Sequence, residues 1–205
     1  PSSYTSGDEI TDDGATYSEN IADAVLFDED VTITRLYEAW DLWPGAQPET
    51  AATARDGMDS GSYGIVNHVG HGFFYTMSVG EGTLGVKDAS GLQNDPHYFL
   101  LNNLNCASAA FDYNSIMERF VVNPNGGAVA ALGSSRAAFP TTAGAYQFSF
   151  FEALFDLQSP TLGDAVADGR QPFDAATYED TVQRWTHMTL ALIGDPSMTI
   201  WRSEP

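Results

Sequence analysis

The chain has 205 residues, with 28 acidic and 8 basic side chains and a formal net charge of −20. This length suffices for one domain with a sizeable core, and a hydrophobic fraction of 43% is typical of a globular chain. The acidic excess disfavours binding to nucleic acid and to anionic membranes, because both require a positively charged surface. No apolar run approaches the roughly 20 residues that cross a bilayer, so we expect no membrane span. A single cysteine excludes an internal disulfide.

The first 20 residues are polar and acidic, and they predict a loop. Within it, residues that suit calcium lie close together, namely Gly7, Asp8, Glu9, Asp12, Asp13 and Gly14. Their oxygen atoms match the preference of calcium, although the regular spacing of an EF-hand is missing. We therefore expect a structural calcium ion as one alternative here, the other being a solvated acidic surface. No cofactor is expected to be required.

The rest of the chain alternates between predicted strands and helices. Helical spacing of apolar residues predicts helices over 17–27, 49–58, 110–121, 145–157, 162–168 and 178–192. Short β-branched and aromatic runs predict strands over 31–37, 62–69, 97–104, 128–132 and 197–201. This alternation predicts an α/β fold whose central sheet is mostly parallel and flanked by helices. We treat residues 1–205 as one domain.

Reactive side chains follow two of the predicted strands. The run over 62–69 leads into His71, and the run over 97–104 leads into Cys106. If the two strands are parallel neighbours, both residues emerge at the carboxyl edge of the sheet, where open α/β sheets bind their ligands. An imidazole beside a thiol can stabilise the thiolate, which is the nucleophilic form of cysteine. His71 and Cys106 are therefore the candidate catalytic pair.

Other polar residues near this edge admit weaker interpretations. Ser134 and Ser135 follow the strand predicted over 128–132, and we take them as candidate substrate-binding residues. Their surroundings lack the G-x-S-x-G pattern, so a serine nucleophile is not expected. His68 and His71 could suggest a zinc site. Zinc needs a third protein ligand, however, and the sequence offers none at a definable position, so we predict no metal site here. We interpret His68 as structural.

Several motifs occur together in a fixed order: TRLYE at 34–38, GHG at 70–72, LNNLNCASAAF at 101–111, NPNGGAVAALGSSR at 123–136 and LIGDPSMTIW at 192–201. A histidine that precedes the cysteine, each at the end of its own strand, resembles the caspase-like clan. Within that clan, these motifs resemble the gingipain family of secreted cysteine peptidases. The resemblance implies a caspase-like three-layer sandwich and a secreted or cell-surface location.

The resemblance also assigns roles to individual residues. It makes Cys106 the nucleophile and His71 the catalytic histidine, with the backbone amides of Gly72 and Cys106 as the oxyanion hole. The implied activity is hydrolysis of peptide bonds in a polypeptide substrate through an acyl-enzyme. The alternative is a non-catalytic caspase-like module for structure or docking within a larger assembly.

Two departures from the family pattern predict a fragment of a longer protein. Family members usually begin the catalytic sheet with an apolar strand before the first acidic loop, and residues 1–10 contain none. They also commonly continue into an immunoglobulin-like domain. We therefore expect other segments or chains of a larger protein as partners.

Overall fold

The computed structural model describes residues 14–27 and 31–200. Its helices are α1 (Gly14–Ala24), α2 (Ala51–Asp59), α3 (Val86–Ser90), α4 (Ile116–Val121), α5 (Pro140–Phe155), α6 (Leu162–Arg170), α7 (Ala176–Glu179) and α8 (Thr181–Thr189). Its strands are β1 (Leu36–Tyr37), β2 (Gln47–Pro48), β3 (Ile65–Val69), β4 (Gly72–Phe73), β5 (Thr76–Val79), β6 (Gly82–Gly85), β7 (Phe99–Leu104), β8 (Ala128–Ser134) and β9 (Leu190–Ile193). Short 3-10 turns cover Trp40–Leu42 and Gln171–Phe173.

The central sheet has the strand order β3-β7-β8-β9. Strands β3, β7 and β8 are parallel, with Ile65 opposite Leu100 and Val69 opposite Leu104. Strand β9 forms one edge of the sheet and pairs antiparallel with β8. A small antiparallel sheet, β4-β5-β6, follows directly after β3, while β1 and β2 form a separate parallel pair.

Helices cover both faces of the central sheet. Along β7, Phe99 and Leu101 pack into a core with α2, α3 and α4, whereas Leu100 packs into a second core with α1, α5 and α6. Because side chains alternate between the two faces of a strand, a strand buried on both faces must be apolar without alternation. The predicted α/β fold with a mostly parallel sheet between helical layers is confirmed.

The helix predicted over 178–192 is wrong in extent. Asp180 interrupts it with an extended conformation, and its Oδ1 accepts hydrogen bonds from the Val182 and Gln183 amides at 2.7 and 3.3 Å. An aspartate at this position caps a new helix, since it satisfies N–H groups that have no partner in the first turn. Helix α8 then ends at Thr189, and the next four residues form β9.

Three other predicted elements need correction. The strand over 197–201 does not form within the described residues, where Thr199 makes only an isolated bridge with Thr161, because β9 already occupies the sheet position. The strand over 31–37 shrinks to Leu36–Tyr37, the only part that pairs with β2. The helix over 110–121 begins at 116, because Ser115 and Glu118 form a capping box at that point.

The predicted loop over residues 1–20 is wrong from Gly14 onward, since α1 begins there. The other predicted calcium ligands, from Gly7 to Asp13, lie outside the described residues. Within residues 14–27 and 31–200, no helix is long and apolar enough to cross a membrane.

The stability of the sheet can be tested at Leu101, whose side chain in the middle of β7 is fully buried. Leu101→Ala should lower the free energy of unfolding by about 2–5 kcal/mol, since it removes buried methyl groups and leaves a cavity. The matched change Leu157→Ala, at a side chain that is 65% exposed, should cost about 0.5 kcal/mol or less. Urea unfolding followed by circular dichroism measures both, and equal losses would contradict the assigned core.

Candidate active site

The segments that carry His71 and Cys106 meet at the carboxyl edge of the central sheet. Strand β3 ends at Val69 and β7 ends at Leu104, and the two strands are adjacent and parallel. Beyond the paired residues, the Gly70 N–H donates to the Leu104 carbonyl at 3.1 Å. The parallel neighbours expected from the sequence are therefore present, and they bring the His71 loop against the Cys106 loop. The chemical roles of His71 and Cys106 remain predictions.

Cys106 is partly exposed and lies in a sharp turn after β7. Its sulfur accepts a hydrogen bond from the Ala138 N–H at 3.4 Å. The next residue, Ala107, has φ of 55°, a left-handed conformation that costs a non-glycine residue about 1–2 kcal/mol. A hydrogen bond from the Ala107 N–H to the Arg136 carbonyl, at 2.8 Å, holds this turn against the end of β8. The turn presents the thiol at the edge of the sheet instead of burying it in the core.

His71 is exposed, and its main chain is held by Ser78 of β5. The His71 N–H donates to Ser78 Oγ at 2.8 Å, and the Ser78 N–H donates to the His71 carbonyl at 2.9 Å. The short antiparallel sheet thus fixes the backbone of the loop while leaving the imidazole accessible.

Gly72 lies directly against Asn105, the residue that precedes Cys106. A Cβ atom at position 72 would overlap the Asn105 side-chain amide. Only glycine allows the two loops to approach this closely without displacement. The backbone N–H groups of Gly72 and Cys106, which the family resemblance assigns to the oxyanion hole, belong to these two touching segments.

Additional contacts join the same loops further from the thiol. The rings of Phe74 and Tyr113 stack with centroids 4.0 Å apart and an angle of 12° between their planes. Arg136 forms a two-point ion pair with Asp112 at 3.0 and 3.2 Å. Because this pair is nearly half exposed, it contributes at most about 1 kcal/mol and serves mainly to orient the loop.

Ser134 and Ser135, the candidate substrate-binding residues, are both buried at the end of β8. The Ser135 N–H and hydroxyl both donate to the Thr189 carbonyl, at 2.8 and 2.9 Å. The Ser134 carbonyl accepts from the Ala109 N–H at 3.1 Å. These bonds tie β8 to α8 and to the turn after Cys106. A direct contact of either serine with substrate remains a prediction.

His68 is buried in the interior, with 6% of its surface exposed. Its Nε2 lies 2.7 Å from the Ser78 carbonyl, and its Nδ1 lies 2.6 Å from Asn103 Oδ1. Burial lowers the pKa of His68, against opposing effects of its hydrogen bonds with Ser78 and Asn103. The ring is therefore neutral near neutral pH. Both ring nitrogens are occupied by protein groups, which agrees with a structural role.

The other histidines are dispersed. His97 is exposed and packs against Gly61, and His187 lies beside Tyr146 and Asp174. Within the described ranges, no group of three or more His, Cys, Asp or Glu side chains is arranged to hold a metal ion.

Sequence reasoning did not single out several polar residues of this site, above all Asn103, Asn105 and Ser108. All three are at most 3% exposed, and they lie in or just after the buried strand β7. A signal was present, because asparagine in an otherwise apolar strand must find hydrogen-bond partners in the interior.

The fold and the sequence place the chain among known proteins. A family model described as Peptidase family C25 matches residues 2–201. The chain therefore belongs to peptidase family C25, the gingipain family of cysteine peptidases. A search among curated proteins finds no match.

Solved structures of similar fold include gingipain R (RgpB), described as an Arg-specific cysteine proteinase, with a TM-score of 0.64 and 19% identity over 74% of this chain. A complex of the pro- and mature domains of Porphyromonas gingivalis RgpB has a TM-score of 0.62 and 20% identity over 74% of this chain. A further structure, described only as a protease, has a TM-score of 0.63 and 19% identity over 76% of this chain. The chain spans 36–39% of the length of these structures. The predicted family and fold class are confirmed.

The close approach of the two loops can be tested at Gly72. Gly72→Ala should lower the free energy of unfolding by about 1–3 kcal/mol, because the added methyl group overlaps the Asn105 amide. Gly64→Ala is the matched control, since a Cβ at position 64 has no atom within 4 Å. If chemical denaturation gives equal losses for the two variants, the contact between the loops is not as described.

The burial of neutral His68 predicts acid sensitivity. The unfolded chain protonates this histidine below about pH 6.5, whereas the folded chain resists protonation, so folding loses stability as pH falls through that range. The loss is at most about 1.4 kcal/mol per pH unit. The stability advantage of the natural protein over His68→Gln should therefore shrink between about pH 7.5 and pH 5. Urea unfolding across this range measures it, with exposed His97→Gln as the control, and a constant advantage would show that His68 is not held neutral.

Proposed function

We propose that this chain carries the reaction centre of a cysteine endopeptidase that hydrolyses peptide bonds in a polypeptide substrate. The observation that supports this proposal most strongly is the parallel pairing of β3 with β7 in a chain of peptidase family C25. This pairing brings the His71 loop and the Cys106 turn to one sheet edge, which is where open α/β sheets bind ligands.

In the proposed first step, His71 accepts the proton of the Cys106 thiol, and the thiolate attacks the carbonyl carbon of the scissile peptide bond. The carbonyl oxygen becomes an oxyanion, which the backbone N–H groups of Gly72 and Cys106 stabilise. The Ala138 N–H, 3.4 Å from the sulfur, favours the thiolate as a further hydrogen-bond donor.

In the second step, the tetrahedral intermediate collapses as the His71 imidazolium gives its proton to the leaving amine. The substrate acyl group is then joined to Cys106 as a thioester. Water, deprotonated by His71, attacks this thioester and releases the new carboxyl terminus, which restores the thiol and the neutral imidazole.

The setting of this activity is part of the proposal. We propose a secreted or cell-surface location, because the gingipain family, to which the chain belongs, is a family of secreted cysteine peptidases. Because the chain spans 36–39% of the length of the matched solved structures, other segments or chains of a larger protein would complete the substrate cleft. The complex of pro- and mature domains of RgpB shows that one such structure does associate with another segment.

The proposal predicts that Cys106 and His71 act together. Cys106→Ala should abolish cleavage of a peptide library, and His71→Ala should slow it by about 10²–10⁴-fold, the range expected for loss of a general base. His97→Ala, which removes an exposed histidine outside the site, should leave the rate unchanged. Quenched-fluorescence peptides followed by mass spectrometry measure the cleavage.

A second readout tests the thiol independently of cleavage. Cys106 is the sole thiol, so iodoacetamide labelling in the folded chain reports on it alone. Labelling should proceed at about pH 6–7, where ordinary free thiols react slowly, and His71→Ala should suppress it. A folded chain whose thiol stays inert with or without His71 would overturn the peptidase proposal and favour a docking or structural module.

A further inference from the structure

A buried polar chain connects the backbone of His71 to the turn that carries Cys106. Its members are five residues that the proposed reaction does not use directly, hereafter called the His68 network: Ser78, His68, Asn103, Ser108 and Asn105. His68, Asn103, Ser108 and Asn105 are each at most 6% exposed. Buried polar groups are costly unless paired, so a connected set of them beside a reaction centre calls for a physical reason.

One end of the network holds the His71 loop. The Ser78 hydroxyl accepts from the His71 N–H at 2.8 Å, and the Ser78 N–H donates to the His71 carbonyl at 2.9 Å. The Ser78 carbonyl, in turn, lies 2.7 Å from His68 Nε2. The buried ring of His68 therefore contacts the same residue that fixes the main chain of His71.

The other end of the network holds the turn at Cys106. The Asn103 side chain lies 2.6 Å from His68 Nδ1 and 3.3 Å from Ser108 Oγ. Ser108 Oγ lies 2.5 Å from Asn105 Oδ1. Ser108 and Asn105 flank Cys106 in the chain, and the Asn105 amide packs against Gly72.

We propose that the His68 network is a positioning device for the reaction centre, in which His68 holds the His71 loop in register with the Cys106 turn. His68 and Ser108 act through other residues and touch no substrate. This inference rests on the proposed peptidase function, and it assigns a specific task to the buried residues Asn103 and Asn105.

The protons of the network follow from its acceptors. The Ser78 carbonyl can only accept, so His68 Nε2 carries a proton. With Asn103 Oδ1 facing Nδ1, the second ring nitrogen must also carry one, and Asn105 Nδ2 is then buried without a partner in the described part of the chain. These amide orientations therefore require a His68 ring that carries a proton on both nitrogens.

A neutral ring can form hydrogen bonds with the same side chains. A half-turn of the Asn103 amide lets its Nδ2 donate to the bare Nδ1 of His68, and its Oδ1 then accepts the Ser108 hydroxyl. A half-turn of the Asn105 amide lets its Nδ2 donate to Ser108 Oγ. The positions of the heavy atoms do not change.

The surroundings of the ring favour this neutral form. The groups that face it are Ser78 from β5, Asn103 from β7 and Gly70 from the loop after β3, while Gln147 of α5 donates to the His68 carbonyl at 3.4 Å. None of these residues carries a charge. A single buried imidazolium would have no counter-ion among them, and burying an unpaired charge is costly.

The test uses the rate of iodoacetamide labelling of Cys106 in the folded full chain across about pH 5–9. Ser108→Ala removes the link between Asn103 and Asn105 and should slow labelling at neutral pH by about tenfold, a loss of the size of one hydrogen bond. It should also shift the onset of labelling to higher pH, which loss of packing alone would not do. Ser149→Ala, which removes another buried hydroxyl on α5, is the matched control.

A second pair of variants decides the question if Ser108→Ala does not fold. His68→Gln keeps a donor for the Ser78 carbonyl and should label within about threefold of the natural rate, whereas His68→Leu should lose about tenfold. The inference is overturned if Ser108→Ala and Ser149→Ala, or the two His68 variants, are labelled at equal rates. The proposed function survives that result as long as labelling of Cys106 still requires His71. If labelling of Cys106 in the natural protein is unchanged by His71→Ala, the proposed function itself fails.

Discussion

The parallel pairing of β3 with β7 is the constraint on which the rest of the structure depends. Five residue pairs, from Ile65–Leu100 to Val69–Leu104, set the register of the two strands. Because the strands run in the same direction, their ends coincide, and the loops that follow must meet at one edge. A shift of β3 by one residue against β7 would turn the side chains of β3 to the opposite face and separate Gly70 from its partner carbonyl at Leu104.

The same pairing places β7 in the centre of the sheet, where all six of its residues are buried. Apolar residues in this strand stabilise the fold by filling the two cores. Its asparagines have the opposite requirement, because each amide must be paired inside the protein. The structure meets that requirement for Asn103 through His68 and Ser108, and these contacts lie beneath the two loops of the candidate site. Stability of the sheet and geometry of the site are therefore coupled through one strand.

The candidate site also shows where the chain departs from its most stable local arrangements. Ala107 adopts a left-handed conformation that other residues avoid, and Gly72 leaves no room for a side chain beside Asn105. Such features persist only when surrounding bonds hold them, here the Arg136 carbonyl for Ala107 and the Ser78 side chain for the His71 loop. Both features lie beside an exposed imidazole and a partly exposed thiol.

Much of this could be predicted from local sequence. The run over 97–104 predicted the strand that forms β7, and the motifs around His71 and Cys106 indicated the family, because short-range patterns carry both signals. The ends of elements were less predictable: Asp180 and Ser115 begin new helices through their own capping bonds, and β9 forms only because β8 offers it an unpaired edge. The contacts of His68 with Asn103 and of Gly72 with Asn105 were decided by tertiary structure alone. They join segments up to 35 residues apart in the chain, and such contacts exist only after the strands have paired.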